Sequence, residues 1–163
     1  MFELTKIAFG GGCHWCTEAV FQSLKGAIKV EQGFVASVDV NNSFSEAVIV
    51  HFQAKDISLK TLIEVHLLTH KSTSNHSMRE KYRSAIYTFS AAQEKQALDL
   101  LDYFQTEFSN QIITQVLPFS EFKASNDAFQ NYYLKDPEKP FCKQFINPKL
   151  DVLKKKFSEH INI

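Results

Sequence analysis

Hydrophobic and polar positions follow two periods along this chain of 163 residues. Short apolar runs bounded by turn-forming residues predict strands, and apolar positions three and four residues apart predict helices. The predicted strands are residues 6–9, 27–35, 45–52, 84–89 and 112–119, and the predicted helices are residues 18–24, 58–68, 91–108 and 149–157. The order of the first six elements, βαββαβ, predicts an α+β fold with a ferredoxin-like core whose helices pack on a mixed sheet.

Two stretches interrupt this pattern. Residues 69–84 are polar with little periodicity, and a long loop inside a compact domain is often functional. A proline-punctuated stretch around Pro140 and Cys142 predicts an irregular C-terminal segment, mobile enough to bring the Cys142 thiol inward. No repeat, low-complexity tract or linker divides the chain, so residues 1–163 are predicted to form a single catalytic domain.

Charge and composition disfavour several classes of protein. Lysine plus arginine and aspartate plus glutamate number 18 each, so no electrostatic argument favours nucleic acid or a membrane surface as partner. No apolar run approaches the roughly 18 residues of a spanning helix, and the chain enters regular structure almost at its first residue. We therefore expect a cytoplasmic monomer. Its three cysteines, two of them in a Cys-x-x-Cys, favour a redox or metal site over a secreted disulfide scaffold.

The Cys-x-x-Cys motif is the strongest chemical signal in the chain. Cys13 and Cys16 follow a glycine run at the point where a predicted strand gives way to a helix. At a helix N-terminus, free N–H groups and the positive end of the helix dipole stabilise an anion. The pKa of the Cys13 thiol is therefore expected below its usual value of about 8.5. The thiolate is the nucleophilic form of cysteine.

The sequence around these cysteines resembles a known family. Residues 11–18, Gly-Gly-Cys-His-Trp-Cys-Thr-Glu, are similar to the Gly-Cys-Phe-Trp-(Gly or Cys)-x-Glu signature of the methionine sulfoxide reductase A family. Further blocks that resemble the family's segments occur in the family's order at residues 45–48, 82–87, 129–133, 140–142 and 147–150. Together the blocks span most of the chain.

The resemblance implies a mechanism and a set of roles. Cys13 would attack the sulfur of methionine S-sulfoxide, free or in proteins, while Glu46 protonates the departing oxygen and Tyr82 binds it. The resulting Cys13 sulfenic acid would condense with a second thiol, and a thioredoxin-like or other thiol reductant would open the intramolecular disulfide without any metal or organic cofactor. Glu18 is the weaker candidate for the acid, since it lies about 140° around a regular helix from Cys13.

Three departures from the family pattern affect substrate binding. His14 replaces the phenylalanine that, with Trp15, would line the pocket for the methyl group, and adds a titratable ring beside the nucleophile. Phe34 replaces a tyrosine. Where the family carries an aspartate before Tyr82, this chain has Ser77, or His76 if the register slips. These residues are the candidates for substrate binding.

The sequence leaves alternatives open for the second thiol and for the class of protein. The family's C-terminal resolving position corresponds to Cys142, whereas Cys16 lies one helical turn from Cys13, a spacing that allows a disulfide. Other readings are a zinc-binding module and a thioredoxin-like oxidoreductase that uses Cys13 and Cys16 alone. The zinc ligands would be drawn from Cys13, Cys16, Cys142 and one of His14, His70 and His76.

Overall fold

The computed structural model describes residues 4–162. Its strands are β1 (Thr5–Gly10), β2 (Ala27–Ala36), β3 (Ser45–Phe52), β4 (Ala85–Thr88), β5 (Gln115–Pro118) and β6 (Glu121–Ala124). Its α-helices are α1 (His14–Gln22), α2 (Leu59–Thr69), α3 (Ala91–Gln105), α4 (Tyr132–Lys135) and α5 (Asn147–Lys156). Short 3₁₀ turns occur at Asp39–Asn41 and Thr106–Phe108, and a π-helical turn at Cys142–Ile146. The expectation of regular structure from the first residues falls partly on residues 1–3, outside the described range.

The strands form one mixed sheet in the order β5-β4-β1-β3-β2-β6. Its four central strands are antiparallel and, with α1 and α2 as connections, build the predicted ferredoxin-like βαββαβ core. After α3, β5 joins β4 in parallel, and β6 joins β2 antiparallel at the other edge. The prediction of an α+β fold with a mixed sheet is confirmed. No helix within residues 4–162 is long and apolar enough to cross a membrane.

The sheet is rolled. Strands β5 and β6 occupy opposite edges, yet only Phe119 and Ser120 separate them in sequence. Three peptide steps reach at most about 11 Å, so the two edges must meet at this end of the sheet. Hydrogen bonds hold them there: the Ser120 N–H donates to the Ala36 carbonyl at 3.0 Å, and the Ser37 hydroxyl to the Pro118 carbonyl at 2.6 Å.

Alternate residues of the strands face two different cores. Those on the outer face, such as Ile7 and Phe9, are fully buried under the helices, and the Phe9 ring stacks on Phe21 of α1 at 4.7 Å. Those on the inner face, such as Ala8 and Tyr87, fill the interior of the roll. Both faces of the central strands are therefore covered, which holds the ends of these strands in place. The loop that carries the candidate nucleophile begins at one such end, directly after β1.

Several elements differ from the prediction. Strand β6 and helix α4 were not predicted, and β5 is shorter than its predicted range. Helix α1 begins at His14, directly after Cys13, which confirms the expectation that Cys13 lies at or near a helix N-terminus. The prediction of irregular structure around Cys142 was wrong: residues 140–156 are helical, with the π-helical turn in the middle. Pro140 and Pro148 are tolerated because each lies in a first turn, of this helical run and of α5, where a proline's missing N–H is not needed.

Candidate active site

Cys13 is the N-cap residue of α1, directly after the loop that follows β1. Its carbonyl accepts the N–H groups of Cys16 at 3.1 Å and Thr17 at 3.2 Å, which closes the first helical turn. Gly11 in this loop has φ of 152°, and a side chain there would collide with the His70 ring. The glycine run therefore lets the chain turn tightly from β1 into the helix and leaves the Cys13 thiol half-exposed.

The surroundings of Cys13 favour its thiolate. A hydrogen bond from the Cys16 thiol lowers the pKa of Cys13 most, and the N–H groups of Trp15 and Cys16 lower it further. Partial burial and the charge of Glu46 oppose this shift without reversing it. The same hydrogen bond, followed by burial, raises the pKa of Cys16 far above its usual value. Cys13 is therefore the thiol that ionises, and Cys16 remains a neutral thiol that donates a hydrogen bond to it.

Glu46 projects from β3 toward the start of α1 and is only 7 % exposed. Its Oε1 atom accepts the His14 backbone N–H at 3.1 Å, and its Oε2 atom lies 3.7 Å from the Lys81 Nζ atom. The Glu46 N–H donates to the Lys81 carbonyl at 3.0 Å. Backbone and side chain are thus both fixed next to the nucleophile.

The His14 ring is buried between β2 and Glu46. Its Nδ1 atom lies 2.7 Å from the Gly33 carbonyl, and because a carbonyl can only accept, Nδ1 carries the proton. Its Nε2 atom lies 3.5 Å from Glu46 Oε1, and the edge of the ring meets Phe34 with centroids 5.1 Å apart. The structure therefore brings His14, Phe34 and Glu46 together beside Cys13.

Tyr82 lies on the other border of the site, next to a lysine that the sequence did not indicate. The Lys81 Nζ atom lies 5.1 Å from the centroid of the Tyr82 ring. A hydrogen bond with Tyr82, then the charges of Tyr82, Glu46 and Cys13, raise the pKa of Lys81. The sequence feature that could have indicated Lys81 is its position directly before Tyr82, in a block that resembles the family. Nothing in that block marked the lysine as chemically distinct from a solvated one.

Arg79 fixes the polar loop to the nucleophile loop. Its guanidinium donates to the carbonyls of Ser74 at 2.8 Å, Gly11 at 2.9 Å and Tyr82 at 2.9 Å, and also to the Lys71 carbonyl. These bonds hold Tyr82 and the turn before Cys13 in one arrangement. Sequence reasoning identified residues 69–84 as functional but missed Arg79, because a long-range bond to a backbone carbonyl leaves no trace in the local pattern.

A cleft of about 360 Å³ opens beside Cys13. Its lining consists of Gly11, Gly12, Cys13, Cys16, His70, Lys71, His76, Met78, Tyr82, Phe141, Phe145 and Lys149. His76 is thus at the cleft, and its Nδ1 atom accepts the Met78 N–H at 3.2 Å. Ser77 is exposed on the loop and lies outside the lining, as do His14, Trp15, Phe34 and Glu46.

Trp15 joins an aromatic cluster with the C-terminal segment. Its ring stacks on Tyr132 at 4.2 Å and on Phe129 at 5.2 Å, and it meets the edge of Phe141 at 5.2 Å. Its Nε1–H is buried without a partner. The cluster connects the helix that carries Cys13 to the segment that carries Cys142.

Comparison with known proteins identifies the family of this chain. The model of the peptide methionine sulfoxide reductase family matches residues 5–161. The chain belongs to this family. A peptide methionine sulfoxide reductase MsrA of Deinococcus radiodurans is 33% identical over 94% of this chain and 82% of its own length, and one of Pasteurella multocida is 33% identical over 93% and 95%. The resemblance of the motifs is confirmed, and the chain is an oxidoreductase.

Solved structures share the fold. The methionine sulfoxide reductase A of Corynebacterium diphtheriae matches with a TM-score of 0.73 at 22% identity, covering 83% of this chain and 76% of that one. Mxr1 of Saccharomyces cerevisiae in reduced form matches with a TM-score of 0.71 at 22% identity, covering 87% of this chain and 92% of the Mxr1 chain. Mxr1 in complex with Trx2 matches with a TM-score of 0.62 at 21% identity, covering 81% and 88%. These matches show that the fold is that of the reductases.

All three thiols of this family member are free. Cys16 is buried against Cys13, to which its thiol donates. Cys142 is fully buried in the π-helical turn, where its thiol donates to the Asp136 carbonyl at 3.5 Å and burial raises its pKa. Of the two candidates for the second thiol, Cys16 therefore contacts Cys13, and Cys142 faces its own segment.

Glu18 has a structural role. Its buried carboxylate accepts the N–H groups of Asn131 at 3.0 Å and Tyr132 at 3.2 Å and the Gln32 side-chain amide at 2.9 Å. Burial raises the pKa of Glu18 despite these bonds. The carboxylate joins α1 to the C-terminal segment and points away from Cys13, as the helical geometry predicted.

The zinc-binding alternative finds no support in the geometry. Within residues 4–162, histidine, cysteine, aspartate and glutamate side chains form no group of three or more that could hold a metal ion. His70 is instead bonded to the Ser84 hydroxyl and to the His66 carbonyl. The thioredoxin-like alternative is replaced by the family assignment.

Proposed function

We propose that this reductase converts methionine S-sulfoxide to methionine with Cys13 as its nucleophile. The observation that carries this role is the hydrogen bond from Cys16, together with the N–H groups at the start of α1, which lower the pKa of Cys13. The Cys13 thiolate attacks the sulfoxide sulfur, and the sulfur–oxygen bond breaks as its oxygen transfers to Cys13. The substrate sulfur is reduced by two electrons, and Cys13 is oxidised to a sulfenic acid.

Glu46 supplies the proton for this step. Its position, buried and bonded to the start of α1, supports a carboxyl group that protonates the sulfoxide oxygen as the thiolate attacks. The His14 Nε2 atom, 3.5 Å from Glu46 Oε1, can hold a proton beside the carboxyl. His14 thus forms a wall of the site and can also return a proton to Glu46.

Tyr82 and the aromatic residues bind the substrate. The Tyr82 hydroxyl donates to the sulfoxide oxygen, and Lys81 beside it adds positive charge where negative charge develops. Phe34 and Trp15 offer apolar surface for the methyl group. His76 borders the cleft from the polar loop. Ser77 receives no role, because its side chain is exposed to solvent.

Cys142 is the proposed resolving thiol. It attacks the Cys13 sulfenic acid, a disulfide forms and water leaves. The assignment rests on its match to the family's resolving position, and the burial of Cys142 requires the π-helical turn to open first. Cys16 is the alternative because it already contacts Cys13. The hydrogen bond that raises the pKa of Cys16 most depends on the Cys13 thiolate and is lost when Cys13 becomes a sulfenic acid, but burial still disfavours the Cys16 thiolate.

A thioredoxin-like protein or another thiol restores the enzyme. Since every electron in the cycle comes from a thiol, the chemistry needs no metal or organic cofactor. Mxr1 was solved in complex with Trx2, which supports a partner of this class here. We further propose one catalytic domain over residues 1–163, acting as a cytoplasmic monomer, since reducing compartments keep such thiols active.

The decisive experiment is epimer-resolved turnover. Purified enzyme with excess dithiothreitol is expected to reduce the S epimer of methionine sulfoxide, and Cys13→Ser is expected to lose all activity. Glu46→Gln and Tyr82→Phe should lower kcat by about 10²-fold and tenfold, the range of a lost general acid and a lost hydrogen bond. Activity that survives in Cys13→Ser would refute the proposal.

A further inference from the structure

The cleft beside Cys13 is lined with positive charge. Of its twelve lining residues, Lys71 and Lys149 are cationic and none is acidic. Its volume of about 360 Å³ is that of a site for a small ligand or a side chain. The ligand that reaches Cys13 through this cleft therefore passes two ammonium groups and no carboxylate.

Lys149 is a half-buried ammonium group without a carboxylate partner. Its Nζ atom donates to the Thr69 carbonyl, and none of the ion pairs within residues 4–162 includes Lys149 or Lys71. Burial lowers the pKa of Lys149 and the charge of Lys71 lowers it further, whereas the charges of Cys16 and Cys13 raise it. Partly burying an ammonium group costs free energy unless an anion compensates it. The Cys13 thiolate loses its charge when it attacks, and no carboxylate of residues 4–162 pairs with Lys149, so the cleft can accept a carboxylate from a ligand.

The loop that borders the cleft adds to the excess of positive over negative charge. Desolvation, and then the charges of Arg79 and Lys71, lower the pKa of the partly exposed His76. With its Nδ1 atom accepting the Met78 N–H, the neutral His76 ring presents an Nε2–H donor. In the block where the related family carries an aspartate, this loop has no acidic residue before Glu80. Cations and a donor therefore replace the carboxylate expected there.

We propose that this cleft binds a carboxylate of the substrate, so that the enzyme prefers methionine sulfoxide with a carboxylate next to it. Lys71 and Lys149 are the specificity-determining residues. The carboxylate is either the α-carboxylate of free or C-terminal methionine sulfoxide or the side chain of an adjacent acidic residue in a peptide. Only three bonds separate the sulfoxide sulfur from Cα, so a sulfoxide at Cys13 keeps such a group within the cleft. This inference rests on the proposed function.

The test compares matched substrates. The S epimers of N-acetylmethionine sulfoxide and its amide differ in one charge, and capped Asp-Met(O)-Ala and Asn-Met(O)-Ala peptides differ in the same way on a side chain. At low salt, kcat/KM is expected to be about three- to tenfold higher for each carboxylate substrate, mainly through KM, the effect of one or two partly exposed ion pairs. The preference should shrink in 0.5 M NaCl. The two substrate pairs distinguish the source of the carboxylate.

Variants of the two cleft lysines test whether the cleft causes the preference for carboxylate substrates. In Lys71→Gln and Lys149→Gln, the ratio between carboxylate and amide substrates should fall toward one. The exposed Lys154 on α5 provides a matched control, and Lys154→Gln should keep the wild-type ratio. Lys71→Glu should invert the ratio toward the amide, a result that loss of folding cannot produce.

The outcomes separate this inference from the proposed function. Equal kcat/KM for both members of each substrate pair, with turnover that still requires Cys13, overturns the carboxylate preference alone. A preference that persists unchanged in both lysine variants also overturns it. Absence of Cys13-dependent turnover with every substrate refutes the proposed function instead.

Discussion

The Nε2 atom of His14 lies 3.5 Å from the Oε1 atom of Glu46, and both side chains are buried. Because the Gly33 carbonyl fixes a ring proton on Nδ1, Nε2 is the ring nitrogen left to interact with the Glu46 carboxyl. The charged or titratable groups that face this pair are Cys13, Glu18 and Lys81. A carboxyl and an imidazole in this arrangement can exchange a proton between them.

Replacing the histidine with the family's phenylalanine tests this exchange. His14→Phe keeps an aromatic wall but removes the Nε2 atom through which a proton could return to Glu46, so that Glu46 must take its proton directly from solvent. We expect kcat to fall about tenfold. Steady-state turnover of the S epimer measures this.

A second variant serves as its control. In a Glu46→Gln background, His14→Phe should have little further effect on kcat, since the carboxyl it serves is gone. A loss that adds fully to that of Glu46→Gln would show that His14 only packs.

Cys16 should control the ionisation of Cys13. Removing the donated hydrogen bond in Cys16→Ala raises the pKa of Cys13, whereas Cys16→Ser retains a hydroxyl donor and should preserve most of the shift. The rate of alkylation by iodoacetamide as a function of pH, in a Cys142→Ser background, reports this pKa. Identical profiles for the alanine and serine variants would contradict the role of the hydrogen bond.

The resolving thiol can be identified after a single turnover. With one equivalent of substrate and no reductant, Cys16→Ser should form a disulfide between Cys13 and Cys142, while Cys142→Ser should accumulate a sulfenic acid that dimedone traps. Peptide mapping by mass spectrometry distinguishes the two products. A disulfide between Cys13 and Cys16 in the wild type would assign resolution to Cys16.

Two stacked histidines under the site should make the fold sensitive to acid. His66 and His70 have ring centroids 4.1 Å apart, and burial lowers the pKa of His70 to about 4 and that of His66 well below its usual value. Both rings therefore bind protons more readily in the unfolded chain. Their stabilising effect is complete above about pH 6.5 and is lost as the pH falls toward 4, at a cost of about 3 kcal/mol for His70.

Urea unfolding measures this loss. The free energy of unfolding of the wild type should fall between pH 7 and pH 4.5, and His70→Gln should flatten that dependence. The variant His160→Gln, which changes a histidine outside the stacked pair, should keep the wild-type slope. An equally steep dependence in His70→Gln would contradict the assignment.

The sequence predicted the features that depend on local pattern. The continuous apolar run of β3 and the glycines before Cys13 act within a few residues, so the strand and the nucleophile at the start of α1 were predictable. The bond between His14 and Glu46 joins residues 32 positions apart, and that between Arg79 and Gly11 residues 68 positions apart. Such pairs depend on how the sheet is rolled. Prolines around Cys142 suggested an open segment, because the pattern does not show that both lie in first helical turns.

The anchoring of the C-terminal segment by Glu18 sets where that segment can pivot. Asn131 and Tyr132 are bound to α1 through this carboxylate, on the same helix whose first turn holds Cys13. In the proposed resolution by Cys142, we expect this anchor to stay in place while the chain between Tyr132 and Cys142 moves. One buried carboxylate would then set the length of the segment that rearranges, and the sheet would stay intact.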